Sequence, residues 1–219
     1  MQNEEGIPAE FRPYTTDAVL HAFDGLLTDV WEEARRGESS EGSAAPSDSP
    51  SSVSLYSMAG NGESEGKKAG RLALKSLTQF IYTYGAQTLG ETSLRILNYM
   101  PLLAHFNFDQ GDDELRNGCA STLRDFLSSI FVVRESAEKT VELFERFLST
   151  DSWKVRMVLI NEISTLVFSN SYAFDDHRER VGRLIASQMA HERLEVRESA
   201  AVAVSLFIHS GDGSIHCKW

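Results

Sequence analysis

Three arginines, Arg116, Arg156 and Arg197, recur at intervals of 40 and 41 residues, each directly after an aliphatic residue, Leu115, Val155 or Val196. Each pair follows a polar turn and opens an apolar run. A guanidinium carries five donors in a rigid fork that matches carboxylates, and the same residue at the same place in successive units predicts a structural ladder. Acidic residues in the turns, such as Asp151 and Glu192, are its expected partners. The remaining candidates for chemistry fall away on spacing. The six histidines form no HExxH pattern, and His216-Cys217 is a pair in a polar tail without further ligand types around it. Gly66-Lys67-Lys68 lacks the first glycine and the Ser/Thr of a phosphate loop. Asp175-Asp176 reads as a helix start, since adjacent side chains do not face each other across a substrate. No G-x-S-x-G elbow, kinase set or dinucleotide loop occurs. The expectation is a chain that is not an enzyme and that uses no cofactor and no metal.

The elements that must position these arginines follow from the interval. The runs "DDELRNGCASTLRDFL" from Asp112, "DSWKVRMVLINEISTLVF" from Asp151 and "HERLEVRESAAVAVSLF" from His191 share one layout. A period near 40 belongs to helical-pair repeats of the HEAT or armadillo kind. Each run therefore needs a preceding partner helix, and the sequence supplies one at 92–106, 137–150 and 178–190. In the last of these Val181, Leu184, Ile185 and Met189 share one helical face. Asp112 or Asp113, Asp151, and Asp175 or Asp176 stand where helix starts need a side-chain acceptor. Upstream, residues 16–35 read as a first helix with Val19, Leu20, Phe23, Leu26, Leu27 and Val30 inward, and 67–85 as its partner through Leu74, Leu77, Phe80 and Ile81.

The predicted fold is all-α, a solenoid of about four HEAT-like helical pairs with a disordered loop inserted in the first. Its parts are a flexible segment at 1–15, a first helix at 16–36, the loop at 37–66, the repeat array at 67–210 and a tail at 211–219. The loop earns its assignment by composition: ten of its 30 residues are Ser, and Gly, Pro and acidic residues supply much of the rest. A long surface insertion costs little, because closure entropy grows only as the logarithm of length.

The formal charge of −11 is concentrated at the front. Residues 1–66 carry 13 acidic and 3 basic side chains, while the remainder carries 19 and 18. The body therefore signals no nucleic-acid-binding face. No apolar run is long enough to span a membrane, and Glu4, Glu5 and Glu10 stand where a signal peptide would be basic. Two distant cysteines, Cys119 and Cys217, with Cys119 inside an apolar helical pattern, point to a reducing compartment. Trp153, Phe144 and Phe147 fall at core spacing.

The region from Asp151 to Ile215 is more specific than its repeat physics requires. "WKVRMVLINEISTLVFSN", then "VGRLIASQM", then "ERLEVRESAAVAVSLFI" resemble, in order, the C-terminal part of the large HEAT-repeat proteasome activators, the proteasome activator complex subunit 4 family. Upstream helices agree with that family only as helical repeats. The resemblance implies a dome-like α-solenoid that binds the α-ring of the 20S proteasome core, opens or narrows its gate and admits small or unfolded proteins without ATP. It also implies location in nucleus and cytoplasm, a link to DNA repair, and degradation of acetylated histones through an acetyl-lysine-reading region to which no residue here is assigned. Two departures stand out. The family ends in a hydrophobic-Tyr-x tail, whereas this chain ends Cys217-Lys218-Trp219, with Lys in place of Tyr. The last repeat also has no following helix to cover it, so the expectation is a piece of a longer activator. A generic HEAT scaffold, of the transport-receptor or phosphatase kind, is the alternative that shares the repeats but not the partner.

Overall fold

In the computed structural model, residues 16–28, 30–32, 65–85 and 88–210 are described, and no strand occurs among them. Nine α-helices are described: α1 (Thr16–Leu26), α2 (Glu65–Tyr84), α3 (Glu91–Leu97), α4 (Met100–Phe106), α5 (Asp113–Ser129), α6 (Ala137–Leu148), α7 (Trp153–Ser169), α8 (Arg178–Ser187) and α9 (Leu194–Ser210). The expected segments 1–15 and 211–219 lie outside the described residues. So does the expected loop, apart from Glu65 and Gly66, which already belong to α2.

The helices form two layers. Helices α1, α3–α4, α6 and α8 form a first layer, and α2, α5, α7 and α9 pack side by side in chain order as a second, each first-layer helix lying against the next helix of the second. This is the four-pair array that the 40-residue period predicts. One continuous core runs through it, from Leu20, Leu74 and Leu77 by way of Leu103, Leu123 and Phe144 to Val181, Val196, Ala200 and Ala203. Fully burying one such aliphatic side chain contributes about 1.5–3 kcal/mol, so the array is held by many equivalent contacts between neighbours. The small Ala200 and Ala203 let α9 lie close on α7. Cys119 is fully buried on α5, where burial, and then the charges of Asp109 and Asp112, push its thiol up to about 12.

Two glycines are dictated by geometry. A Cβ on Gly70 would stand 2.3 Å from Val30 Cγ2, so only Gly permits the crossing of α2 with the chain that follows α1. Gly90, ahead of α3, has φ 62 and ψ −129, a conformation that side chains exclude.

Four details differ from the sequence expectation. The helix expected over 92–106 is broken after Leu97. Pro101 offers no N–H to the Leu97 carbonyl four residues back and its ring would clash there, so α4 restarts at Met100 with Pro101 in its first turn. The Asn98 side chain turns back to donate to the Leu94 carbonyl at 3.0 Å. Met189 is 46% exposed, because the last turn of the 178–190 segment tightens to a 3₁₀ turn at Gln188–Ala190 and rotates it off the inward face. Leu26 is likewise exposed while Leu20, Leu27 and Val30 are buried. Of the expected caps, Asp112 accepts from Leu115 N at 3.0 Å. Ser152 rather than Asp151 caps α7, and Asp175–His177 forms a 3₁₀ turn before α8.

Candidate docking surface

The edge where each first-layer helix turns into its partner gathers the recurring arginines. Arg116 lies 2.8 Å from its own helix neighbour Asp113 and points Nη1 at the Asp109 carbonyl at 3.5 Å. Arg156 donates to the Thr150 carbonyl and, across to the next repeat, to Gln188 Oε1 at 3.3 Å. Arg197 donates to the carbonyls of His191 and Glu192, at 2.9 and 2.8 Å. The repeated contact is thus from a guanidinium to main-chain oxygens five to seven residues back. Those carbonyls end the preceding helix or its turn and have no helical partner, and a charged donor satisfies them. Glu192 takes part through its carbonyl, and Asp151 acts on Arg156 only through its charge. Burial holds the Arg156 guanidinium below its ordinary range against that attraction.

Further ties cross between repeats on the same edge. Arg193 lies over the Trp153 ring at 5.6 Å, with Lys154 at 5.8 Å. Arg71 pairs with Asp109 at 2.5 Å, and Lys75 with Asp112 and Glu114 at 2.9 and 2.7 Å. On the first layer, Arg180 of α8 spans Glu138 and Glu145 of α6, and both carboxylates hold its guanidinium above its ordinary range. Tyr99 ties α1 down by donating to Asp24 and the Leu20 carbonyl, while Arg95 reaches Asp24 at 2.6 Å. Burial first, then the Asp24 bond, raises the Tyr99 phenol above its ordinary value.

A cleft of about 460 Å³ opens on the first layer between Thr28, Trp31, Asn98, Pro101, Arg146 and Phe147. It is open and mixed in character, with Arg146 donating to Asn98 Oδ1 at 3.3 Å. Among the described residues no three His, Cys, Asp or Glu side chains are gathered as a metal site, and no described helix is long and apolar enough to cross a membrane. The arrangement offers faces and edges, and the recurring arginines are engaged in holding the turns.

Two features escaped the sequence reading. Asn170, at the end of α7, is buried and clamps the connection before α6: its Nδ2 donates to the carbonyls of Ile130 and Leu166, both at 3.0 Å, and its Oδ1 accepts from Val132 N at 2.8 Å. An Asn just past an apolar helical run was the available signal, but the two partners in another repeat lie 38 and 40 residues away. Leu89, Phe131 and Tyr172 are exposed apolar residues in the connections between repeats, where helical periodicity says nothing.

No protein-family model and no solved structure matches the chain. Proteasome activator complex subunit 4 of Homo sapiens is 24% identical to it over 152 residues, which is 67% of this chain and 8% of that protein. The Xenopus laevis protein of the same name is 26% identical over 152 residues, again 67% and 8%. Proteasome activator complex subunit 4A of Danio rerio is 24% identical over 141 residues, 62% and 8%. The chain therefore resembles these activators over about two thirds of its length and spans about 8% of theirs. The similarity reaches well beyond the 65 residues from Asp151 to Ile215.

Proposed function

We propose that this chain is part of a non-catalytic proteasome activator. It helps a larger α-solenoid bind the α-ring of the 20S core and modulate its gate, so that small or unfolded proteins enter without ATP or ubiquitin. Acetylated histones are among the proposed substrates, and the proposed places of action are the nucleus, including sites of DNA repair, and the cytoplasm. The observation that carries the reading is the similarity over 152 residues to proteins named as proteasome activator subunits, laid on a four-pair helical array. Such an array suits the role, because stacked repeats build extended surfaces whose contacts are spread over many side chains.

Sedimentation of a native extract through a glycerol gradient, followed with an antibody against the 151–207 helices, tests it. The antigen is expected to travel with 20S peptidase activity and to return to lighter fractions when the core particle is depleted. An antigen that sediments identically with and without core particles would assign the array to a different assembly.

A further inference from the structure

We propose that the edge of the array opposite the arginine turns, where each second-layer helix hands over to the next repeat, is a docking stripe for an extended, basic polypeptide segment with regularly spaced apolar residues. Leu89, Phe131 and Tyr172 stand there at intervals of 42 and 41, the repeat period, and are 58%, 61% and 81% exposed. Each repeat junction thus presents one large apolar side chain that the core does not use.

The three are neighbours along one line. Phe131 and Gly90, next to Leu89, border the same shallow depression. Asn170 holds the main chain on both sides of Phe131, which sets the turn carrying Tyr172, two residues on, beside that connection. Beyond it, Phe168, Ser171 and Leu206 edge a second depression.

Charge selects the occupant. The basic side chains of this edge are engaged inside the chain: Arg134 with Asp176, Lys139 with Glu91, and Arg178 with the Phe207 carbonyl at 3.3 Å. Glu135 and Asp175 stay exposed outside these pairs. Residues 89–91, 131–139 and 172–180 together carry six carboxylates against four lysine and arginine side chains, so the field along the stripe is negative, which favours lysine or arginine beside the apolar anchors. Neighbouring helices pack about 8–10 Å apart and an extended chain advances about 3.1–3.4 Å per residue, so an occupant needs an anchor at roughly every third residue. The stripe stands whether or not the chain meets a proteasome.

The test titrates the full 219-residue chain into fluorescein-labelled (Leu-Lys-Pro)4, an extended probe of that spacing, and reads anisotropy at about 0.15 M salt. Saturable binding is expected, with (Leu-Glu-Pro)4 and (Ser-Lys-Pro)4 weaker by about ten-fold or more. The double variant F131S/Y172S should lose about ten-fold, and E135Q/D175N should remove most of the preference for lysine over glutamate. All four positions are exposed, and an independent pair, L89S/F168S, serves if either double variant melts early. Equal binding of the lysine and glutamate probes overturns the proposal, as does binding unchanged by either apolar double variant. Sedimentation of the chain as a dimer that F131S/Y172S dissociates would also overturn it, by giving the stripe to a second copy.

Discussion

Replacing Asn170 by Ala should weaken the array more than any surface change of similar size. The side chain is 6% exposed and serves two main-chain groups of another repeat, the Val132 N–H at 2.8 Å and the Ile130 carbonyl at 3.0 Å. The third partner, the Leu166 carbonyl, keeps its bond from the Asn170 main-chain N–H at 3.0 Å and is not orphaned. Each buried polar group left unpaired costs about 1–3 kcal/mol, so two orphans with partial relaxation amount to about 3 kcal/mol. For a chain of this size that is a fall in Tm of about 6–12 °C. Urea unfolding followed by circular dichroism at constant m-value measures it directly. Asn170→Asp separates the hydrogen bonds from mere volume. It keeps the acceptor for Val132 N–H but places a carboxylate against the Ile130 carbonyl, so its folded-state pKa is raised. Its deficit should be present at pH 7 and shrink as pH falls toward 4, where the protonated acid donates again. A loss below about 0.5 kcal/mol in Asn170→Ala would refute the clamp.

Arg156→Ala should cost about 1–2 kcal/mol and Arg156→Lys about half of that, since the ammonium cannot serve Thr150 and Gln188 together; thermal melts of the three proteins check it. Ala203→Leu forces extra volume into the α7–α9 contact and should destabilise by about 1–3 kcal/mol, read by the same melts. In a Cys217→Ser background, Cys119 should resist iodoacetamide at pH 8 and react promptly in 8 M urea, as expected for a buried thiol with its pKa pushed up to about 12. Burial raises the Glu162 carboxyl above its ordinary value, with Arg124 opposing weakly. An acid so shifted leaves stability intact below the unfolded pKa of about 4.3 and removes some as pH rises through the folded value. Glu162→Gln should therefore stabilise at pH 7 and match the parent at pH 4, measured by urea midpoints at both.

The sequence spoke most clearly where a pattern repeats. Leu115, Val155 and Val196 recur at one register and are buried in three successive second-layer helices, because a 40-residue unit can bury its apolar face only against its neighbours. Periodicity overran one local signal: the pattern reads 92–106 as a single helix, but Pro101 breaks that helix at the carbonyl its ring would strike. The arginine partners followed a rule that composition hides. Acidic residues crowd the turns, and Arg116 does pair with Asp113, yet the Arg156 and Arg197 guanidinium groups go to carbonyls, because a helix end leaves those oxygens unpaired whatever side chains surround it. Asn170 and the Leu89–Phe131–Tyr172 stripe were beyond reach for another reason. Both lie in connections between repeats, and their meaning rests on residues about 40 positions away that only the folded array brings alongside.

The measurement that bears most directly on the central claim is affinity purification of the endogenous protein with an antibody against the 151–207 helices, with mass spectrometry of the antigen and its companions. Proteasome α-ring subunits recovered in stoichiometric amounts, and lost when the antibody is blocked with the antigen, are the predicted result. An antigen recovered with other partners and no proteasome subunits would contradict the activator reading and leave a helical-repeat scaffold of a different assembly.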